Sequence, residues 1–529
     1  MTVSESSSEV AVEPVTKEHR TVRGLTGLVT KAGDRERMTI EEPYTGDPIG
    51  AIPRCEEADV ELAVERAQEA QRAWAERSPS ERAEVLKRFR KLVLDRREKL
   101  MDIVQLETGK ARRTAFEEIQ VVAMTAGYYS HRAEQFLASE KRKGAVPGMT
   151  ETTVHHQPVG VAGLISPWNF PFELALSDAL PGLLAGNAVV IKPAEQTSHI
   201  ALYGKKLLEE AGLPADLFQV VTGTGADIGE PLVERVDYVG FTGSTATGRI
   251  VAEQAGRELT KASLELGGKN PAIIFEDADF DRAVPGLVNG AYSNTGQLCI
   301  AIERIYVHES RYDEFVERFV AATEDVELGA TYDFGPDVGS LVSKEQLAKV
   351  VEHVEDAKAS GATVHTGGEA RPDVGPYFYE PTVLTDVERD MDLCCEETFG
   401  PVVSIYPFSD TEAAIEEAND TDYGLNASVW TEDTEFGSEV AQRIRAGTVN
   451  VNDAYGPTYA SIDAPMGGMK DSGIGRRHGR EGILKYTESQ TVAVQKGQGM
   501  AAPDSVPFWL YAKLTSGALR LFDKIPGLR

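Results

Sequence analysis

Short apolar stretches alternate with helical ones from about residue 152 to 260, and this alternation limits the folds open to the chain. GVAGLIS, AVVIKPA, LFQVVTG and DYVGFTG are typical of strands, whereas LALSDALPGLLAG, SHIALYGKKLLEEAG and IGEPLVER between them are typical of helices. Strands that are apolar along their whole length must be covered on both faces. The pattern therefore predicts an α/β fold with a parallel sheet between helices.

A second α/β region begins near residue 300, and a helical segment precedes the first. ERIYVHE, TVLTDV, VVSIYPF, ASVWT and GTVNVND predict further strands, with helices at RYDEFVERFVAATEDV and KEQLAKVVEHVEDAKASG. Residues 56–142 place apolar side chains three and four positions apart, which predicts helices. The 529 residues are enough for two such domains with an introductory helical layer.

The net charge of −30, from 84 acidic and 54 basic residues, restricts the partners of the chain. Such a surface repels phosphate backbones, so we expect no nucleic acid binding. Arginine outnumbers lysine by 33 to 21, and an acidic excess with little lysine suits a halophilic protein, because molar salt screens the self-repulsion. An ordinary acidic cytosolic enzyme is the alternative.

The N-terminus and the cysteines bear on the compartment and on the chemistry. Residues 1–19 lack a basic start and an apolar core, which predicts no signal peptide, and no apolar run is long enough to predict a membrane span. The four cysteines, at 55, 299, 394 and 395, have neither disulfide nor zinc-ligand spacing. We expect a cytoplasmic protein without a metal, in which Cys299 is either a small buried side chain or a reactive thiol.

Two segments have the form of nucleotide-binding turns. Residues 237–253 form a predicted strand, a glycine-rich turn and a helix, and the amides at such a helix start suit a pyrophosphate. The glycines match neither the G-x-G-x-x-G nor the P-loop pattern, so a purely structural turn is the alternative. Lys192 and Glu195 follow a predicted strand, where open α/β sheets bind ligands, although a solvated charged loop has the same composition.

Two further residues have the chemistry of a catalytic site. Glu265 stands between apolar residues before a Gly-Gly turn, where partial desolvation raises a carboxyl pKa and favours a general base; a salt-bridged or capping glutamate is the alternative. Asn169 lies between two prolines in SPWNFPFE, and is either turn punctuation or an amide donor for an oxyanion.

As an ordered set, these segments resemble the NAD(P)-dependent aldehyde dehydrogenases. The resemblance covers roughly residues 35–495, and the motifs that carry it are, in order, PWNFP, KPAEQT, FTGSTATG, ELGGKN, GQLC, EETFGP (396–401) and PMGGMKDSGIG (465–475). It implies that Cys299 attacks the aldehyde, that Asn169 and the Cys299 amide hold the oxyanion, and that Glu265 activates water to hydrolyse the thioester.

The resemblance also implies a cofactor site for NAD, with NADP as the second choice. Glu195 would hold the adenosine ribose and disfavour a 2′-phosphate, and Glu397 would hold the nicotinamide ribose. The residues implied for the cofactor are Ser166, Trp168, Lys192, Glu195, Gly223, Gly243, Ser244, Glu397 and Phe399. A relative that passes its thioester to CoA typically lacks the base, so Glu265 favours hydrolysis; a non-catalytic binding protein would not need this whole set.

The substrate is implied by a narrower likeness, to the succinate-semialdehyde dehydrogenases of the actinobacterial type. Many of those enzymes hold the substrate carboxylate with arginines, but this chain has Ser177 and Ser293 at the matching positions. The replacements considered are Arg304, Arg443, Arg445, Thr458, Tyr459 and Ser461. Arg-Arg-His-Gly, residues 476–479, also departs from the usual Gly-Arg-Glu-Gly. A dehydrogenase of uncharged aldehydes is the alternative.

The family fold implies a Rossmann-like NAD-binding domain (35–147 and 161–267), a catalytic α/β domain (268–468) and a β oligomerisation arm. We expect the arm to consist of a hairpin at 148–160 and a segment at 485–497, both alternating like edge strands, and to build a homodimer or homotetramer. Residues 1–34 are predicted to be disordered or loosely attached. The amphipathic tail, 503–529, packs on protein or, less expectedly, on a membrane. Cys394 and Cys395 are expected in the core beside the Glu397 loop.

Overall fold

The computed structural model describes residues 22, 24–144, 150–496 and 501–522. Its strands, numbered along the chain, are β1 (Arg37–Glu41), β2 (Pro48–Pro53), β3 (Glu140–Arg142), β4 (Thr150–Pro158), β5 (Val161–Ser166), β6 (Ala188–Pro193), β7 (Phe218–Val220), β8 (Tyr238–Thr242), β9 (Lys261–Glu265), β10 (Asn270–Ile274), β11 (Ile302–His308), β12 (Thr363–Thr366), β13 (Thr382–Thr385), β14 (Val402–Phe408), β15 (Asn426–Trp430), β16 (Thr448–Val451), β17 (Gly473–Ile474) and β18 (Thr487–Gln495).

The helices are numbered in the same way. They are α1 (Glu57–Ala75), α2 (Pro79–Asp95), α3 (Arg97–Thr108), α4 (Arg112–Leu137), α5 (Pro171–Leu184), α6 (Ser198–Glu210), α7 (Gly225–Arg235), α8 (Thr245–Glu258), α9 (Phe280–Tyr292), α10 (Tyr312–Glu324), α11 (Lys344–Ser360), α12 (Asp392–Cys395), α13 (Thr411–Asn419), α14 (Thr434–Ala441), α15 (Gly456–Ala460), α16 (Gly479–Leu484) and α17 (Phe508–Phe522).

Two mixed sheets with parallel cores organise the described chain, as the alternating pattern predicted. The first has six strands in the order β17-β9-β8-β5-β6-β7, all parallel except the short β17. The second has seven strands in the order β12-β13-β14-β11-β10-β15-β16, all parallel except β12. The α/β class is therefore confirmed, and the strand interiors are buried because helices cover both faces.

Helices α1 to α4 form the introductory layer that the apolar spacing predicted. Their buried faces join the core of the six-stranded sheet, where the Trp74 indole nitrogen donates to the carbonyl of Leu183 at the end of α5 (2.8 Å). The start of α2 is fixed by Ser78 and Glu81, which form a reciprocal capping box before Pro79. This layer holds α5, and with it the turn that carries Asn169.

The expected arm is a three-stranded antiparallel sheet in the order β18-β4-β3. Strand β4 is a single central strand rather than a hairpin, because β18 pairs with it along nine residues and β3 pairs on its other side. Strand β18 is the edge strand, with Val492 and Val494 exposed. Residues 148, 149 and 497 of the predicted arm lie outside the described residues, as do 1–21, 23 and 523–529 of the two predicted terminal segments.

Helix α17 and the pair Cys394 and Cys395 bear on two expectations about the C-terminal part. Helix α17 is amphipathic in sequence, yet Phe508 and Trp509 are 73% and 68% exposed, so these side chains are not covered by the rest of the described chain. No helix in the described ranges is both long and apolar enough to cross a membrane. Cys394 is partly buried against a core cluster, but Cys395 is exposed, so the prediction that both are core residues is wrong for Cys395: it ends the short helix α12 on its solvent side.

Candidate active site

The carboxyl ends of the parallel strands in the six-stranded sheet meet at one edge. Ser166 ends β5 and Glu265 ends β9, while Lys192 lies at the end of β6. Gly243 follows β8 and Gly223 follows β7 at the same edge. Because ligands of open α/β sheets bind beyond this edge, the fold brings the predicted cofactor residues to one side of the molecule.

The loops of the seven-stranded sheet close a cavity of about 210 Å³ against that edge. Predicted residues from both halves of the chain line it: Trp168, Asn169, Gly243, Ser244, Glu265, Cys299, Glu397 and Phe399. Cys299 and Glu397 come from loops that precede β11 and β14, so they approach the cavity from the opposite side to Asn169 and Glu265. One thiol, one amide and one carboxylate of the predicted chemistry therefore share a single cavity.

The Cys299 loop is held in an unusual backbone conformation. Asn294 and Thr295, in the turn before the cysteine, both have left-handed φ angles of 54° and 58°. The Asn270 side chain then donates to the carbonyls of Cys299 (2.8 Å) and Ala301 (2.7 Å). Such conformations persist only where surrounding contacts over-determine them, and they concentrate at functional sites. The thiol is thus positioned by its main chain.

The electrostatic surroundings keep the Cys299 thiol protonated. Burial, followed by the neighbouring carboxyls of Glu397 and Glu265, raises its pKa to about 12 against an opposing effect of Arg477. A thiolate is the nucleophilic form of cysteine. The site therefore needs positive charge or proton removal when its ligands bind before this sulfur can attack.

The Asn169 turn is fixed through its carbonyl oxygen. Lys110 Nζ donates to that oxygen (2.6 Å) and also to Glu118 Oε1 (2.6 Å), and both charged side chains are completely buried. Glu118 in turn accepts from the amides of Phe172 and Glu173 at the start of α5. The Asn169 amide nitrogen donates one hydrogen to the carbonyl of Gln297 (3.1 Å), so its second hydrogen remains available to a ligand.

The Glu265 carboxyl is buried at the end of β9, and its Oε1 has no hydrogen-bond partner among the described residues. Burial raises its pKa to about 7; Arg477, Lys485 and Arg476 oppose that shift, whereas Asp178 adds to it. A carboxyl that titrates near neutral pH is suited to general base catalysis. Its environment thus matches the predicted role.

The Glu397–Phe399 loop is anchored by a buried ion pair. Lys269 Nζ donates to Glu303 (2.5 Å), and the Glu303 carboxylate accepts from the amides of Thr398 and Phe399 (both 3.1 Å). Phe399 has a left-handed φ of 58° and meets Trp168 edge to face, with ring centroids 5.5 Å apart. The Glu397 carboxylate accepts from the amide of Gly268 (2.8 Å), which directs it into the cavity.

The remaining cofactor residues fit a dinucleotide. Ser244 caps the N-terminus of α8, where backbone amides favour an anion. The Ser166 hydroxyl is buried and has no hydrogen-bond partner in the described part of the chain, and Lys192 Nζ lies 3.4 Å from Glu195 Oε1 at the end of β6. A paired carboxylate and ammonium suit vicinal ribose hydroxyls, whereas the carboxylate opposes a phosphate there.

The residues considered for the substrate fall into two groups. The hydroxyls of Ser177 and Tyr459 are buried without a partner among the described residues, and Tyr459 and Cys299 pack on the same core cluster. Ser293 is buried and lines a second cavity of about 370 Å³, together with Glu117 and Asn289. These three positions, none of which lines the cavity that holds Cys299 and Glu397, are named the substrate side.

The arginines considered for the substrate are engaged elsewhere. Arg304 donates to the carbonyls of Lys269 and Ala418, and Arg443 pairs with Glu412 at the surface. Arg445 borders a separate small pocket. The hydroxyls of Thr458 and Ser461 donate to main-chain carbonyls of their own helix segment, those of Tyr455 and Pro457. None of these five lines either cavity described above.

Sequence reasoning missed several residues around the thiol. Gln346 and Lys349 line the cavity from α11 and donate to the carbonyls of Phe399 (2.9 Å) and Glu397 (2.6 Å). The sequence predicts a helix for the segment that contains them, and a helical pattern alone does not indicate a functional site. Lys110 and Glu118 had no signal either. Arg477 did have one, because it lies in the Arg-Arg-His-Gly departure from the family pattern.

Comparisons with known proteins bear on the family and the fold of the chain. The model of the aldehyde dehydrogenase family matches residues 29–492. A relative from Mycolicibacterium smegmatis, provisionally named a succinate-semialdehyde dehydrogenase using NADP, is 51% identical over 493 residues, which are 93% of this chain and 95% of that one. Among solved structures, an NADP-dependent enzyme from E. coli has a TM-score of 0.85 at 34% identity, covering 89% of this chain and 99% of that one.

A second solved structure is an aldehyde dehydrogenase from Bacillus cereus in complex with NAD⁺. It has a TM-score of 0.83 at 38% identity, covering 87% of this chain and 94% of that one. The relatives thus include a protein named for NADP and a structure containing NAD⁺. Both the ordered motifs and the fold match one family over nearly the whole chain.

Proposed function

The chain belongs to the aldehyde dehydrogenase family, and from this premise we propose that it oxidises succinate semialdehyde to succinate through a thioester on Cys299. The observation that carries the proposal is the convergence of the Cys299 thiol, the Asn169 amide and the Glu265 carboxylate on one cavity. The hydroxyls of Ser177 and Tyr459, which are buried and have no hydrogen-bond partner within the described ranges, support a polar substrate tail. The name of the 51% identical relative supports the same substrate.

In the proposed first half-reaction, the Cys299 thiol releases its proton to solvent, and the thiolate sulfur then attacks the aldehyde carbon. The oxyanion that forms accepts hydrogen bonds from the free hydrogen of the Asn169 amide and from the Cys299 main-chain N–H. Trp168 and Phe399 line the cavity and contact each other edge to face, which gives the reacting carbon an apolar wall. NAD or NADP, when bound, accepts the hydride that leaves this carbon.

In the second half-reaction, Glu265 takes a proton from a water molecule as the oxygen of that water attacks the thioester carbon. The carbon–sulfur bond then breaks, the acid leaves, and Cys299 is regenerated. A pKa of about 7 leaves Glu265 ionised in a large fraction of molecules at neutral pH. This buried base favours hydrolysis over transfer of the acyl group to CoA.

The substrate proposal is tested by comparing kcat/KM for succinate semialdehyde with that for butanal, which has the same chain length without the carboxylate. We expect a preference of at least about a hundredfold for the semialdehyde, since a hydrogen-bonded charge contributes about 1.5–3 kcal/mol per bond. Equal kcat/KM values would contradict the assignment of the substrate while leaving the aldehyde chemistry intact.

A specific observation favours the second candidate, a dehydrogenase of uncharged aldehydes. Burial raises the pKa of Glu117 and of Glu173 to about 7, so both carboxyls carry partial negative charge near the substrate side at neutral pH. Negative charge there weakens the binding of an anionic substrate. Under this candidate, butanal is turned over as well as the semialdehyde or better.

For the cofactor, we propose that NAD is preferred over NADP. Glu195 and Lys192 form a pair at the end of β6 that suits ribose hydroxyls and leaves no unpaired cation for a 2′-phosphate at that strand end. Replacing Glu195 with Ser should lower the KM for NADP several-fold, and Glu234→Ser on the nearby surface serves as the control. A wild-type preference for NADP, as the relative's name specifies, would contradict this proposal.

We also propose a homo-oligomer in the cytoplasm that functions in high salt. The exposed edge strand β18, with Val492 and Val494 43% and 52% exposed, is suited to pairing between subunits. With a net charge of −30, screening by about 1 M KCl should raise the melting temperature. Sedimentation measures the number of subunits in the assembly. A melting temperature that is lower with KCl than without it would contradict the salt proposal.

A further inference from the structure

Arg477 is a buried arginine beside the predicted base, and the two half-reactions proposed above give it no role. Its residue is only 5% exposed. One guanidinium nitrogen donates to Glu173 Oε1 (3.1 Å), and Nε lies 3.7 Å from Asp178 Oδ1. Both partners are on α5, so this helix holds the guanidinium with two carboxylates. A buried charge needs such partners, because leaving it alone is costly.

The same cluster reaches the strand that carries Glu265. Lys485 Nζ lies 3.4 Å from Asp178 Oδ1 and 3.4 Å from the hydroxyl of Ser263. Ser263 precedes Glu265 by two residues on β9, and side chains two apart in a strand point to the same face. The buried cations and the base therefore belong to one group of charges.

The main chain also links Arg477 to the base. Arg477 and Met466 exchange two hydrogen bonds (2.7 and 2.8 Å), and Gly473 pairs with Glu265 across β17 and β9. A Cβ added to Gly467, next to Met466, would lie 3.0 Å from Glu265 Oε1. The Glu265 carboxylate thus packs directly against the loop that carries Arg477.

The residue after Arg477 is strained. His478 has φ 64° and ψ 173°, a region that non-glycine residues rarely occupy. Its ring is buried, neither nitrogen has a hydrogen-bond partner among the described residues, and burial lowers its pKa to about 3, so it is neutral. Strain of this kind persists where the surrounding structure requires it. Here the strained residue directly follows Arg477, whose side chain is buried.

Two buried atoms in this region lack a hydrogen bond among the described residues, although one of them, Arg477 Nε, has an ion-pair contact with Asp178 Oδ1 at 3.7 Å. Arg477 Nε is a buried donor, and Glu265 Oε1 is a buried acceptor, and neither has a hydrogen-bond partner among the described residues. Unsatisfied buried groups are rare in folded proteins and call for a functional explanation. The charges that face Glu265 are Arg477, Lys485 and Arg476, against Asp178; the neighbouring Cys299 thiol is titratable but neutral.

We propose that Arg477 is the positioning residue of the Glu265 base: its guanidinium, anchored by Glu173 and Asp178, holds Glu265 as the carboxylate that activates water. The proposal rests on the proposed role of Glu265 and is independent of which aldehyde is the substrate. The charges around Glu265 support this role. Burial raises the pKa of Glu265, and among the charges that lower it, Arg477 has the largest effect.

The test is the pH dependence of thioester hydrolysis in Arg477→Gln, with propanal and saturating NAD. Without the cation the pKa of Glu265 rises. The acid limb of the profile of kcat against pH, where protonation of the base lowers kcat, should therefore move to higher pH by about one unit. One unit is the lower end of the pKa shift that a single nearby charge causes. The rapid formation of NADH in the first turnover should keep its rate, and kcat should recover above about pH 9. Arg477→Lys should show a smaller shift.

Charge-compensating variants separate this role from a structural one. Asp178→Asn removes the opposing charge and should move the limb to lower pH, and Arg477→Gln combined with Asp178→Asn should return it close to that of the wild type. Arg480→Gln, an exposed arginine three residues away, is the control and should leave the limb unchanged. An unmoved limb in Arg477→Gln, or a loss of kcat that is equal at all pH values, would overturn the proposal.

Two further outcomes distinguish the neighbouring hypotheses. An acid limb that survives in Glu265→Gln would show that Glu265 is not the base, and would overturn both roles together. A defect of Arg477→Gln confined to the KM of succinate semialdehyde, with propanal unaffected, would instead make Arg477 a substrate ligand and overturn its positioning role.

Discussion

The two sides of Cys299 differ in how their polar groups are held. On the side of the dinucleotide edge, the Asn169 carbonyl, the Glu397 carboxylate and the Phe399 amide each have hydrogen-bond partners from distant parts of the chain. The exceptions there are the Ser166 hydroxyl and Glu265 Oε1, which have no hydrogen-bond partner among the described residues and are left for ligands. On the substrate side, the hydroxyls of Ser177 and Tyr459 are buried without any partner among the described residues.

This difference separates rigid chemistry from adaptable recognition. Lys110 and Glu303, which fix the first side, are themselves buried and ion-paired, so its geometry is present before any ligand binds. The hydroxyls on the second side have no partner among the residues that the structure describes and can donate to a ligand. If the comparison holds, substitutions on the first side lower kcat for every aldehyde, and those on the second side affect one class of aldehyde.

The largest effect is expected at the boundary between the two sides. Cys299→Ala removes the nucleophile and should abolish aldehyde-dependent NADH formation, a loss of at least about 10⁴-fold in kcat. Binding of NAD, followed by fluorescence quenching, should remain. Cys55→Ala is the matched control, because Cys55 is buried in the other core cluster and should alter only stability. Residual turnover within tenfold of the wild type would remove the premise of the comparison.

The first side is broken most severely at its buried ion pair. Lys110→Met leaves Glu118 buried and unpaired, which should lower the free energy of unfolding by about 3–5 kcal/mol. Because Lys110 also holds the Asn169 carbonyl, kcat should fall for succinate semialdehyde and butanal alike.

Denaturant unfolding measures the stability change at Lys110, and the exposed pair Lys87–Glu84 supplies the control. Lys87→Met removes an ion pair of 2.7 Å at the surface and should change the free energy of unfolding by less than about 1 kcal/mol. Equal destabilisation by the two substitutions would show that the first side does not depend on burial of its charges.

The same difference explains how much could be predicted from the sequence. Asn169, Glu265, Cys299 and Glu397 each follow or precede a strand in a short motif, and parallel strands bring such positions to common edges of a sheet. The strand and helix pattern therefore predicted both sheets and most of the cavity, with the family resemblance supplying the roles.

The supporting residues could not be predicted because their partners are far apart in the chain. Lys110 lies 59 residues from Asn169, and Arg477 lies 304 residues from Glu173. No local pattern distinguishes a lysine that will be buried from one at the surface. The arginines considered for the substrate failed for the same reason: Arg304 stands near the thiol in sequence, but its strand directs it to the carbonyls of Lys269 and Ala418.

A smaller effect on the first side is expected from Asn169→Ala. Loss of one preorganised oxyanion donor costs about 10²–10³-fold in kcat, with little change in substrate KM. The rate at which iodoacetamide alkylates Cys299 is the control, because it reports on the thiol without requiring an oxyanion hole. An unchanged kcat would mean that the free hydrogen of this amide does not reach the reacting oxygen, and that hydrogen bonds on this side serve the fold alone.

The smallest expected effect is the one that sharpens the comparison most, since it concerns the second side alone. Tyr459→Phe removes a buried hydroxyl that has no partner among the described residues, so it should not destabilise the protein, and melting temperature measures this. If that hydroxyl donates to the substrate carboxylate, the KM for succinate semialdehyde should rise about tenfold, as for the loss of one hydrogen bond to a charged group, with the KM for butanal unchanged.

Tyr455→Phe removes a neighbouring hydroxyl that already accepts a hydrogen bond from Asn289, so it should affect both aldehydes equally. Equal effects of Tyr459→Phe on the two aldehydes would instead assign this hydroxyl to packing and favour the dehydrogenase of uncharged aldehydes.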